Sequence, residues 1–171
     1  MVEQVISTPR LVLRKLSVQD APFILELLND PGWLKFIGDK GVRTLDDAQA
    51  YIVNGPQTMY AQFGFGLYLT ELKHGNASIG LCGLLKRDSL DAVDLGYALL
   101  PAYRGKGYAC EAASAVLDYA RAVLDIQRVL AITSVGNERS ERLLGKLGFV
   151  FARQIRWASD ESQARLFESE V

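Results

Sequence analysis

The residues with the clearest chemical potential stand in one run, Leu99-Leu-Pro-Ala-Tyr-Arg-Gly-Lys-Gly-Tyr-Ala109. Pro101 closes a strand-like stretch and helical spacing of apolar residues begins beyond Gly107, so the run joins a strand to a helix through two glycines. Such a connection aims backbone N–H groups and the positive end of a helix at an anion, and its glycines let phosphate oxygens come close. A phosphate or pyrophosphate site follows, set against the plainer alternative of a tight turn whose glycines serve geometry alone. A Walker loop is excluded, because Lys106 is followed by Gly107 and not by the serine or threonine that holds magnesium. A Rossmann fingerprint fits poorly as well: Cys110 stands where its third glycine belongs, and Asp125 comes before the next strand instead of at its end.

Other catalytic sets are scarce. Cys82 and Cys110 lack C-x-x-C spacing and a nearby histidine, which suggests two small buried hydrophobes and neither a zinc site nor a disulfide. The single histidine, His74, falls in the turn-like run Lys73-His74-Gly75-Asn76, so a Cys-His or Ser-His-Asp catalyst is not expected. The 171 residues, 49% of them hydrophobic, suit one domain spanning 1–171. Nineteen basic and twenty acidic residues leave a charge of -1 with no basic run, which argues against nucleic acid as a partner. No signal-like leader and no apolar stretch of spanning length occur, so a cytoplasmic protein without membrane contact is expected.

The elements that must position the glycine run read as an α+β order. Arg10 to Leu16 alternates apolar and basic residues, as a half-buried strand does. Ser17 to Asp20 opens a helix carrying Phe23, Ile24, Leu27 and Leu28 that stops at Asn29-Asp-Pro-Gly32. Thr44, with Asp47 three residues on, caps a second helix, and Trp33 to Val42 between the two reads as a loop. Gly66 to Leu72 and Ser78 to Leu85 form a hairpin, and Ala92 to Leu100 adds a third antiparallel strand. Ala109, Ala112, Ala113, Val116, Leu117, Ala120 and Leu124 trace one face of a long helix. A strand from Arg128 to Thr133, a helix from Glu138 to Leu147 stopped by Gly148, and strands Phe149 to Trp157 and Arg165 to Glu170 close the chain.

With these elements in place, Arg104-x-x-Gly107-x-Ala109 resembles the pyrophosphate signature of the GNAT superfamily of acyl-CoA N-acyltransferases. Asp94-Leu-Gly-Tyr-Ala-Leu-Leu-Pro101 and Asn137-Glu-Arg-Ser140 leading to Leu147-Gly-Phe149 are similar to that family too, in matching order from about residue 7 to about residue 157. Thr8-Pro-Arg-Leu-Val-Leu-Arg14 and Gly38-Asp39 bring the pattern nearest to the ribosomal-protein alanine N-acetyltransferase, RimJ/RimL-like, branch. The resemblance implies a mixed, mostly antiparallel central sheet flanked by helices, acetyl-CoA as co-substrate, no metal, and transfer of acetyl to a small-molecule or peptide amine. The alternative is a coenzyme A-binding regulator of the same fold without turnover.

Position by position, the resemblance implies backbone pairing of Leu99 and Leu100 with the pantetheine arm, and a strand N–H that polarises the thioester carbonyl. Backbone groups of Arg104, Gly105, Lys106, Gly107, Tyr108 and Ala109 hold the pyrophosphate, with side-chain charge from Arg104 and Lys106, although Lys106 reads equally as a solvated surface charge. Asn137 reads as a helix N-cap that also faces the pantetheine, and Ser140 as the donor to the departing thiolate. The tyrosine that many members use as the leaving-group acid is replaced by Leu144. An alkylammonium must shed a proton before it attacks, and Asp94 is the carboxylate favoured for that task, with Glu111 read as support for the helix dipole. Trp33, Phe36 and Gly38, with the last hairpin around Trp157 to Gln163, are placed as acceptor-binding residues. A homodimer through an exposed sheet edge or the last hairpin is left open.

Overall fold

The computed structural model describes residues 2–157 and 161–170. Its strands are β1 (Gln4–Ser7), β2 (Leu11–Arg14), β3 (Leu67–Leu72), β4 (Ser78–Leu85), β5 (Val93–Leu99), β6 (Arg128–Ser134), β7 (Val150–Trp157) and β8 (Ser162–Glu170). They form one eight-stranded sheet in the order β1-β2-β3-β4-β5-β6-β8-β7. Each neighbouring pair is antiparallel except β5 and β6, which run parallel. This is the mixed, mostly antiparallel sheet expected.

Helices α1 (Ala21–Leu28), α2 (Pro31–Phe36), α3 (Leu45–Ile52), α4 (Thr58–Phe63), α5 (Tyr108–Ala122) and α6 (Glu138–Lys146) cover the sheet. On one face, Val93, Leu95 and Leu99 of β5 pack with Ala112, Ala113, Val116 and Ala120 of α5. The alanines let the helix lie close to the strands, while each buried Val or Leu contributes about 1.5–3 kcal/mol. On the other face, Leu67, Leu69 and Leu81 pack with Ile24, Leu27, Trp33, Ala48 and Ile52. Successive residues of β5 therefore serve opposite sides of the sheet, a property the site depends on.

The expected elements recur with small boundary changes, and three others are added. The edge strand β1 and helix α4 had no strong periodic signal. Helix α2 replaces the first half of the expected Trp33-to-Val42 loop. Its cause is local: Asp30 accepts from the N–H groups of Gly32 and Trp33, and Pro31 occupies the first turn. The residues that stop α1 are the residues that start α2. Thr44 caps α3 with the reciprocal Asp47 contact, as its spacing predicts.

Candidate active site

Strands β5 and β6 are paired at only two positions, Val93 with Val129 and Asp94 with Leu130. Beyond them the strands separate, leaving an opening in the middle of the sheet. Which backbone groups of β5 face it follows from the ladder to β4. Leu100 donates its N–H to Ile79 O (2.9 Å) and its carbonyl accepts from Tyr103 N (3.0 Å). Hydrogen-bonded and non-bonded pairs alternate in an antiparallel ladder, so Leu95, Tyr97 and Leu99 turn their backbone groups toward the opening. Of the two residues expected to pair with a pantetheine arm, Leu99 has the N–H so placed, whereas both backbone groups of Leu100 are committed within the protein.

At the wide end of the opening lies the glycine loop. Gly105 and Gly107 have φ of 74° and 83°, conformations that side chains other than glycine's resist. Among the described residues, the amides from Gly105 through Lys106, Gly107, Tyr108 and Ala109 to Cys110 have no hydrogen-bond partner, and Glu111 N is the first to bond, to Gly107 O at 3.0 Å. Six consecutive free N–H groups at the start of the fifteen-residue α5 form a cradle for an anion. Lys106 is exposed. Arg104 is bound up elsewhere: its N–H donates to Pro101 O (3.2 Å), Nε to Leu99 O (3.0 Å) and Nη2 to Asp30 Oδ2 (2.6 Å).

Tyr97 reaches across the opening from β5, its hydroxyl 2.5 Å from Ser140 Oγ. Asn137 caps α6 by accepting from Ser140 N at 3.3 Å, which fixes Ser140 in the helix's first turn. Leu144, one turn on from Ser140, is buried in the core. A tyrosine is thus brought beside Ser140 from the opposite wall, while none stands one turn along α6. In the sequence Tyr97 stands near Tyr103 and Tyr108, and all three read as packing residues. The distance between β5 and α6 in the chain hid the contact. Burial pushes the Tyr97 phenol up to about 12, only partly opposed by the Ser140 contact.

Asp94 sits where the two strands begin to part and is 2% exposed. Its Oδ1 accepts from Arg87 Nε at 3.0 Å, and the Arg87 guanidinium lies 5.1 Å from the Trp157 ring centre. Burial raises the Asp94 carboxyl above its ordinary value, with Arg87 opposing but not cancelling the effect. The side chains of Asp94 and Tyr97 fall on opposite faces of β5, so acid and hydroxyl pair approach the opening from different sides.

Of the acceptor-binding candidates, Trp33 is 5% exposed and its indole N–H has no partner among the described residues. Phe36 is half-buried, and its carbonyl accepts from Ser134 Oγ of β6 at 2.5 Å. Gly38 has φ of 117° and donates to Trp33 O at 3.0 Å. The last hairpin is described at Trp157 and from residue 161 to residue 163, whereas residues 158–160 lie outside the described residues. Among the described residues no group of three or more His, Cys, Asp and Glu stands together as a metal site.

Glu111 is tied to the β1–β2 turn: Oε1 accepts from Thr8 Oγ1 (2.6 Å) and Arg10 N (2.9 Å), and Oε2 from Arg10 Nε (2.6 Å). Burial pushes its carboxyl up, yet these hydrogen bonds and the Arg10 charge outweigh it and hold the group below its ordinary value of 4.5. The stability it contributes is therefore present above that value and lost as pH falls through the depressed one. Glu111→Ala is expected to cost roughly 1–2 kcal/mol at neutral pH, discounted for a half-exposed Arg10. Thermal denaturation should show the deficit shrinking toward pH 3. An equal deficit at both pH values would refute this account of Glu111.

A split strand pair, an amide cradle at a helix start and a buried acid at the base of the opening thus stand together in one place. Residues 10–150 match the acetyltransferase (GNAT) domain family, and the chain belongs to that family of acetyl-transferring enzymes. The uncharacterized N-acetyltransferase YnaD of Bacillus subtilis (strain 168) is 29% identical over 143 residues, 84% of this chain and 81% of that one. The [Ribosomal protein uS5]-alanine N-acetyltransferase of Escherichia coli (strain K12) is 32% identical over 104 residues, 60% of this chain and 52% of that one. In fold, the chain is similar to the RimL ribosomal L7/L12 alpha-N-protein acetyltransferase solved in complex with coenzyme A. That likeness has a TM-score of 0.83 at 17% identity, covering 99% of this chain and 98% of that one.

Proposed function

We propose that this acetyltransferase takes acetyl-CoA as co-substrate and passes the acetyl group directly to a primary amine, with a protein N-terminal amine as the favoured acceptor. The observation that carries the reading is the opening beyond Asp94 and Leu130, lined by free backbone N–H groups. The acceptor assignment is supported by the similarity to the uS5-alanine enzyme. A cytoplasmic location fits such an acceptor, and no helix among the described residues is long and apolar enough to cross a membrane.

Bound in the opening, acetyl-CoA supplies an activated acyl group and a thiolate leaving group. Gly105, Lys106, Gly107, Tyr108 and Ala109 hold the pyrophosphate through their amides, and the exposed Lys106 ammonium adds charge. Leu99 N–H donates to the thioester oxygen, where charge gathers as the amine attacks. Asp94 takes the proton of the incoming ammonium, directly or through a water. Ser140, with Tyr97 behind it, donates a hydrogen bond to the sulfur as the C–S bond breaks, and the proton that the new amide nitrogen sheds passes through water to the departing thiolate. Tyr97 at about 12 lies above a thiol at roughly 8.5, so the pair shares a hydrogen bond without giving up a whole proton.

Calorimetric titration with acetyl-CoA and thiol release over a panel of amines and N-terminal peptides test the reading. Saturable binding with amine-dependent release is expected, and no binding would overturn it. Ser140→Ala should lower kcat roughly tenfold with little change in amine KM. Adding Tyr97→Phe to that variant should cost little more, because both act through one hydrogen-bonded unit. Independent, multiplying losses would show that Tyr97 acts on its own. Trapping an acetylated Cys82 or Cys110 competent for turnover would sink direct attack.

A further inference from the structure

Helix α2 crosses the opening between β5 and β6 on the Asp94 side of the sheet, and it is fastened at both ends. At its last residue, Phe36 O is held by Ser134 Oγ of β6. At its first turn, Asp30 caps Gly32 N (3.0 Å) and Trp33 N (3.2 Å) and takes Arg104 Nη2 at 2.6 Å. Arg104 in turn holds Leu99 O at the end of β5 through Nε. The Asp30 side chain is 5% exposed, and the Arg104 guanidinium is its ion-pair partner. A Cβ placed on Gly32 would come within 2.8 Å of Arg104 Nη2 and 2.9 Å of Asp30 Oδ2. The guanidinium therefore lies close against Gly32 and the capping carboxylate at the first turn of α2. To reach a phosphate at the Gly105–Cys110 amides, it would have to abandon a buried carboxylate.

We propose that Arg104 is a positioning residue for the acceptor amine and not a ligand of the coenzyme's phosphates: through Asp30 it holds α2, with Trp33 and Phe36, across the opening. This rests on the acetyltransfer reading given above. The same contact ties the acceptor side to Leu99, whose N–H faces the thioester position, so the two halves of the site keep a fixed spacing.

The test compares the unaltered protein with Arg104→Gln, Arg104→Lys and Asp30→Asn, the last retaining an N-capping side chain. Calorimetry with acetyl-CoA, amide hydrogen exchange of residues 32–37, and amine KM and kcat are measured on each. For Arg104→Gln and Asp30→Asn the expected result is a coenzyme Kd within about threefold of the unaltered protein, against the tenfold or more that a lost charged phosphate contact brings. Exchange in α2 should speed up about tenfold or more and amine KM rise by a similar factor, with kcat falling less. Arg104→Lys, a cation without the two-armed geometry, should recover part of both effects. Coenzyme affinity weakened tenfold overturns the proposal, as does unchanged exchange in α2. Asp30→Asn reads the same contact if Arg104→Gln does not fold. An unaltered protein that fails to bind acetyl-CoA sinks the acetyltransfer reading itself and this proposal with it. Binding followed by a null result in the variants sinks only the proposal.

Discussion

Asp94→Asn is expected to lower kcat/KM for the amine by about 10²–10⁴-fold, the usual worth of a positioned general base. The same variant should be as stable as the parent at neutral pH, or more so. The sign follows from the raised carboxyl: between its ordinary and its raised value the folded protein binds a proton that the unfolded chain does not, so stability falls as pH rises through that window. Above it, the folded protein carries the full cost of an ionised, 2% exposed carboxylate that Arg87 only partly offsets. Asparagine removes that cost along with the base. In the parent, activity should rise with pH through the raised value, because only the ionised form accepts a proton. Arg87→Gln removes the opposing charge and should move that rise to higher pH. A pH–rate profile that keeps its acid limb in Asp94→Asn would assign the base to another group.

Gly107→Trp should weaken acetyl-CoA binding on the order of a hundredfold or more, since the proposed role of the cradle is to meet the coenzyme's pyrophosphate. Two effects add. At φ of 83° a side chain is strained by about 1–3 kcal/mol. A Cβ there already lies 3.2 Å from Arg10 Nη2, so the indole must displace Arg10 or fill the space before the amides. Gly107→Ala carries the strain without the bulk and should lose far less affinity. Titration calorimetry separates the two, with melting temperature as the control for folding. Full affinity in Gly107→Trp would place the phosphates elsewhere.

Four places in the molecule separate local from tertiary causes. The glycine loop was legible because its chemistry is local: the residues that free the amides are the residues proposed to hold the anion, all within one strand-to-helix connection. Asp94 was placed on a strand before the loop, but only the fold shows it at the point where β5 and β6 part, buried against Arg87. Arg104 looked like a phosphate contact from its motif position, and its buried partner Asp30 stands seventy-four residues away in the chain. The Trp33 region read as a loop because Asn29-Asp-Pro-Gly32 carries stop and start signals in the same four residues.

The sequence by itself determined most elements, the α+β order, the glycine-rich strand-to-helix connection and, through its motif, the family, because these rest on periodicity, capping and turn chemistry within a few residues of one another. Tertiary structure alone decided which groups meet: Tyr97 with Ser140, Arg104 with Asp30, Phe36 with Ser134, and Leu99 with the open side of its strand. Those pairings depend on strand order and register, which are set by burial on two faces of one sheet. A residue's alternation in or out is written in its neighbours, but the partner across the sheet is chosen by how the whole chain packs.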